Sequence, residues 1–170
     1  MTQNRFKRTG NETRFLTRAA LIAALYVALS YISTIFGLAS GVIQFRISEV
    51  LCILPILMPE AIPGLFIGCM LANIVGGCLF WDVVFGSLAT LIGAIGCYYL
   101  RKLPEKFKWV CTLPNLLSNC IIVPLILMYV YDVPDGFFFL MLTVGLGELV
   151  CGVIGGSAFY YSTKRLNLKL

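Results

Sequence analysis

The sequence contains no histidine, and its seven cysteines include no C-x-x-C pair. The usual ligand sets of structural zinc and haem are therefore missing, as are the Ser-His and H-E-x-x-H centres of proteases. There is no G-x-x-x-x-G-K-[ST] loop, which excludes ATP hydrolysis by that route. Charge is scarce as well: Asp, Glu, Lys and Arg make up 12% of 170 residues, against 59% hydrophobic residues and a mean hydropathy of +0.92. Such a chain has too little polar surface to cover a water-soluble globule of its size. It reads as a one-domain integral membrane protein.

Apolar runs cover about residues 16–36, 47–58, 61–80, 83–100, 110–131 and 137–161, which predicts six spanning helices with short loops. The first run follows basic residues, as a signal peptide would, but it is about twice the usual signal core, so it reads as a retained span. The second run is unusual. Its purely apolar part, "VLCILPILM", would make about 13 Å of helix, well short of a core about 30 Å thick. It spans only if the polar "QFRISE" completes it. Pro55, Pro59 and Pro63 punctuate its far end. The cysteines lie mostly inside apolar runs, where a free thiol behaves as a small hydrophobe.

Six spans place twelve of the thirteen Lys and Arg residues on one side: Arg5, Lys7, Arg8, Arg14 and Arg18, then Arg101, Lys102, Lys106 and Lys108, then Lys164, Arg165 and Lys169. The positive-inside rule makes that side cytoplasmic, with both termini inside. The expected organisation is a basic cytoplasmic segment at 1–15, a six-helix membrane domain at 16–163 and a basic cytoplasmic tail at 164–170. Arg46 is the exception, in the external connection after the first span.

A charged group at mid-bilayer costs about 2.5 to 3.5 kcal/mol, so polar residues in spans mark packed interiors or watery cavities. The candidates are Gln44, Arg46 and Glu49 around the second span, Asn73 in the third, Asp82 at the start of the fourth, Asn115 and Asn119 in the fifth, and Glu148 in the sixth. Asn115 and Asn119 are four apart and share a helix face. In "TVGLGELVCG", Gly145 and Gly147 let another backbone or a ligand approach beside Glu148. No Lys or Arg of the sequence lies at membrane depth to pair with Glu148, so it needs an outside partner, a proton or asparagine donors. The simpler account makes Arg46 and Glu49 an i, i+3 ion pair, the asparagines helix bridges and Asp82 an interfacial residue.

In "RAALIAALYVALS", Ala20, Ala24 and Ala28 are four apart, with Ala19 and Ala23 beside them. Such small-residue faces allow close helix approach, either to a partner or within the fold. Gly64 with Gly68, and Gly152 with Gly156, repeat the spacing and suit internal packing. A polar-lined cavity without catalytic or metal-binding residues reads as a binding site, so an enzyme is not expected and no cofactor is expected in the chain.

The motifs "RAALIAALYVALS", "IQFRISEVLCILP", "IPGLFIGCMLANIVGG", "WDVVFGSLATLIGA", "LPNLLSNCIIVPLIL" and "VGLGELVCGVIGG", in order from about residue 14 to 165, resemble the QueT family. That family comprises substrate-binding S components of energy-coupling-factor (ECF) transporters for queuosine precursors. The resemblance implies a bacterial cell-membrane S component of six helices. It would capture a 7-deazaguanine base such as preQ1 or queuine from outside and work with a T component and two ATPases, which use the ATP. It further implies T-component docking through Ala20 and Ala24, or through Ala19 and Ala23 in the overlapping register, and a lid formed by "GVIQFRISE" after the first helix. A carboxylate accepts the paired N–H groups of a guanine-like edge, a role for Glu148 or Glu49. Gln44, Asn73, Asn115 and Asn119 serve both donors and acceptors, and an amine-bearing precursor gives Asp82 or the second glutamate a use. The other readings are an S component for another vitamin-like solute, or a non-transport membrane scaffold or enzyme.

Overall fold

A computed structural model describes the backbone of residues 2–38 and 43–166, with side chains from residue 11 onward. Gly41 and Val42 of the expected lid, and Lys169 of the tail, lie outside the described residues, as do the side chains of Arg5, Lys7 and Arg8.

The described residues are all helical, without strands. Helix α1 runs Thr2–Ile35, α2 Ala61–Val75, α3 Phe80–Leu100, α4 Leu113–Tyr129, α5 Phe137–Glu148 and α6 Gly156–Arg165. A 3₁₀ helix, Glu105–Thr112, leads straight into α4, and a π-helical stretch, Leu149–Gly155, joins α5 to α6 as one rod. Among the described residues four stretches are long and apolar enough to cross a membrane: Asn11–Ile35, Phe80–Leu100, Glu105–Tyr129 and Phe137–Arg165.

The second apolar run is not an α-helix but a ten-residue 3₁₀ helix, Ile47–Ile56. At about 2.0 Å per residue it reaches about 20 Å. The 15 residues of α2 make about 22 Å, so two of the six elements are shorter than the roughly 30 Å hydrocarbon core. The third run ends early because Gly77 turns with φ +72°, a left-handed backbone that favours glycine. The following helix then starts at Phe80 rather than residue 83.

The 3₁₀ helix is strapped to the inner face of α1 by three rungs. Tyr26 Oη donates to Glu49 Oε1 at 2.5 Å, Ser30 Oγ donates to Ser48 Oγ at 2.8 Å, and the Ile47 N–H donates to Ser33 Oγ at 2.9 Å. The last of these gives an otherwise orphan helix-terminal N–H a partner from a different helix. Leu51, Cys52 and Leu54 of this segment, with Met58 just beyond it, pack with Ile22, Tyr26, Leu65 and Cys69 in the main apolar core.

Helix α2 lies against α1 with no room to spare: a Cβ on Gly64 would sit 2.8 Å from Ala19 O, and one on Gly68 3.0 Å from Ala23 Cα. Ala19 and Ala23 are therefore buried in this internal seam, while Ala20, Ala24 and Ala28 are exposed. Of the two registers that the sequence allows, that of Ala19 and Ala23 is taken up by α2. Gly64 with Gly68 packs internally, as expected.

Candidate functional site

The polar residues of the membrane segments fall into two groups. The inner group gathers Glu49 from the 3₁₀ helix, Asn115 and Asn119 from α4, and Glu148 from the end of α5. Asn115 Nδ2 donates to Glu49 Oε2 at 2.9 Å and to Glu148 Oε2 at 3.2 Å, so a single amide bridges two carboxylates. Asn119 Nδ2 donates to Glu148 Oε1 at 2.8 Å. The four-residue spacing on α4 thus delivers both amides to one acid, because residues four apart stand one above the other on a helix. Glu49 is completed by Tyr26 and by Cys52, whose thiol donates to Oε2 at 3.0 Å.

Glycines make these approaches possible. Asn115 lies flat against α3 at Gly93, where a Cβ would fall 2.6 Å from Asn115 Cα. The backbone carbonyl of Gln44 comes so close to Gly147 that a Cβ there would meet its oxygen at 1.9 Å. Gly147 therefore lets another backbone pass one residue before Glu148, as the "GLGE" pattern predicts. Glu148 is also the last residue before the π-helical stretch. Such bulges shift the helical register locally and are frequent at functional sites.

Among the described residues neither inner carboxylate makes an ion pair; the ion pairs join Arg18 to Glu60 and Lys164 to Glu105. The i, i+3 pair of Arg46 with Glu49 does not form. Glu49 is instead turned into the bundle toward Tyr26 and Asn115, which supply it with donors. Glu148 takes the third of the options open to it, asparagine donors. Beside it, Gln44, Arg46, Asn119, Val123 and Val144 enclose a cavity of about 20 Å³, room for about one water. Asn115 Oδ1 is buried without a hydrogen-bond partner, since the amide nitrogen faces the acids and the oxygen faces Gly93.

The outer group is looser. Arg46 also borders a second cavity, of about 180 Å³, lined by Ser30, Thr34, Asn73 and Cys78. Asn73 is 4% exposed, and among the described residues the one hydrogen bond of its side chain is a 3.8 Å contact of Nδ2 with Cys69 Sγ. Asp82 accepts from Tyr131 Oη at 2.9 Å, and the same oxygen accepts the Leu79 N–H at 3.2 Å, so Asp82 ties the start of α3 to the segment after α4. Gln44, Arg46, Glu49, Asn115, Asn119 and Glu148 thus meet around one centre, whereas Asn73 and Asp82 stand apart from it.

The sequence does not single out Tyr26 or Cys52, because an aromatic and a thiol inside apolar runs read as core. A signal for Tyr26 does exist. Ala19, Ala23, Tyr26, Ser30 and Ser33 recur at three- and four-residue steps, which draws one helix stripe from small residues into hydroxyls. No comparable signal marks Cys52.

Comparison with known proteins accords with this architecture. The curated queuosine precursor transporter QueT of Lactococcus lactis subsp. cremoris (strain MG1363) is 32% identical over 101 residues. That alignment covers 58% of this chain and 59% of the relative, so the chain is matched to somewhat over half of the relative's length. No solved structure matches. The QueT transporter family matches residues 16–165, which takes in the described elements from the inner part of α1 to the end of α6. The chain is a membrane protein and belongs to the QueT transporter family.

Proposed function

We propose that this chain is the solute-capturing S component of an ECF-type importer and that it binds a 7-deazaguanine queuosine precursor between Gln44, Arg46, Glu49, Asn115, Asn119 and Glu148, which move apart to admit the ring because the cavity among them holds about one water. One observation carries the reading: two buried carboxylates share the Asn115 donor and, among the described residues, have no cation in ion-pair contact. Burying one such acid is expensive and burying two together is more so, unless a ligand brings donors or positive charge. A guanine-like edge brings paired N–H groups, for which a carboxylate is the matching acceptor. Arg46 borders the same cavity as Glu148 and contributes one positive charge against two acids. A precursor carrying an amine restores balance, so the cationic form is the preferred ligand.

In this reading all six elements sit in the bilayer with both termini cytoplasmic. Arg18 with Glu60, and Glu105 with Lys164, then mark the inner end. The exposed face of Ala20, Ala24 and Ala28 docks the T component, two ATPases supply the energy, and Ala19 and Ala23 serve the seam with α2. Docking is tested by Ala24→Trp. It is expected to abolish co-purification with the T component while ligand affinity stays within about threefold, under 1 kcal/mol. Intact assembly would remove this face from the interface.

The site itself is tested by titrating the purified chain calorimetrically with preQ1, queuine, riboflavin and biotin. Binding of the deazaguanines alone is expected. Glu148→Gln should weaken it about ten- to 150-fold, the loss of one charge-assisted contact of about 1.5 to 3 kcal/mol. Unchanged affinity would take Glu148 out of the site, and selective binding of riboflavin or biotin would assign the chain to another solute.

A further inference from the structure

The cavity of about 180 Å³ beside Arg46 is roughly nine times the inner one, and nothing in the binding reading above uses it. Its polar walls are under-committed. Asn73 is almost fully buried, yet its amide has no oxygen or nitrogen partner among the described residues, only the long contact with Cys69 Sγ. The guanidinium of Arg46, a half-buried residue, makes no hydrogen bond or ion pair among the described residues, although it borders both cavities. By contrast, the hydroxyls of Ser30 and Thr34 donate inward, to Ser48 Oγ and to Ser30 O, and turn only acceptor lone pairs toward the space. A buried amide and a guanidinium that face a void without an oxygen or nitrogen hydrogen-bond partner are costly unless something in that void completes them.

From this geometry we infer that the chamber bounded by Arg46, Asn73, Ser30, Thr34 and Cys78 is an outer binding station for the lactam edge of a small planar heterocycle. The inference rests on the solute class proposed above. A side-chain amide pairs with a ring N–H and its adjacent carbonyl through two antiparallel hydrogen bonds, and Asn73 offers that edge. Arg46 donates to the carbonyl or stacks on the ring, both natural uses of a planar guanidinium. A small inorganic anion would satisfy Arg46 but leave the Asn73 oxygen without a donor, so a lactam fits the pair of residues better. Because Arg46 also borders the Glu148 cavity, the two stations share a wall. The solute reaches the acids past a side chain that has already recognised it.

Cys78 lines the outer chamber and serves as a reporter. Burial and then the neighbouring Asp82 carboxylate push its thiol up, so labelling by a charged methanethiosulfonate is run at about pH 9, where more thiolate forms. Modification of Cys78 in the purified full chain is read by peptide mass mapping, in parallel with calorimetry, using 7-deazaguanine as the probe. The expected result is that the base slows Cys78 labelling about tenfold or more, since a thiol behind a bound ring is inaccessible. Protection should persist in Glu148→Gln at saturating base and disappear in Asn73→Ala, although Asn73→Ala still gives binding heat. Thr34→Cys, across the chamber, supplies a second reporter where Cys78 itself reacts slowly. Binding heat with no protection at either thiol would overturn the outer station and leave the inner site standing. Protection by inorganic phosphate equal to that by the base would overturn it in favour of an anion pocket. Absence of both heat and protection would sink the solute reading and the station together.

Discussion

Asn115 and Asn73 are the same residue type, both almost fully buried in helices, and they are used in opposite ways. Asn115 donates to Glu49 and to Glu148, and its flat seat against Gly93 fixes where both acids point. Asn73 has a single long contact with a thiol and borders an open cavity. The Asn115 nitrogen is a structural keystone for the acids, although its Oδ1 is left without a partner; the Asn73 nitrogen is held ready. Buried donors in a membrane protein therefore divide into those committed within the fold and those left for something else to satisfy. A bond-by-bond account tells them apart where burial alone does not.

The contrast sets an order of effects, all read by thermal unfolding of the purified chain. The largest belongs to Asn115→Leu, which keeps the volume but removes the donor shared by both acids. A loss of about 3 kcal/mol is expected, which for a chain of this size lowers the midpoint by about ten degrees. A near-normal midpoint would mean that the two acids do not depend on that amide. Tyr26→Phe comes next. It deletes one hydrogen bond to Glu49 while Cys52 and Asn115 still hold the other oxygen, so about 1.5 kcal/mol and a fall of about five degrees are expected. If it exceeds Asn115→Leu, the strap between α1 and the 3₁₀ helix matters more than the bridge between the acids. Asn73→Ala is the smallest, within about 0.5 kcal/mol of the native chain, because it removes an amide with no strong partner. A loss as large as that of Asn115→Leu would erase the contrast and make Asn73 a structural residue.

Much of this was legible in the sequence. The six apolar segments lie close to where their spacing put them, and "GLGE" announced a close backbone approach beside an acid. Spacing by four placed Asn115 and Asn119 on one face, and both indeed reach Glu148. The simpler account of the polar residues fails at a pairing. Arg46 and Glu49 are three apart and opposite in charge, but in a segment crossed by α1, α4 and α5 the acid has better-placed donors than its sequence neighbour. The 3₁₀ form of Ile47–Ile56 also had no local announcement beyond the prolines. It is stabilised from outside, by Ser33, Ser30 and Tyr26 of α1.

The sequence by itself determined that this is a membrane protein with six apolar segments, a polar interruption before the second and basic residues clustered between or beyond those segments. Those properties follow from composition, run length and helical period, which are local. Only the tertiary structure decided that Ala19 and Ala23 face α2 while Ala20 and Ala24 face outward. It alone decided that Glu49 meets a residue 66 positions away, and that Asn73 is left beside a cavity. The reason is steric. Gly64, Gly68, Gly93 and Gly147 let particular backbones touch, those contacts fix the rotation of each helix about its axis, and rotation selects which polar groups meet.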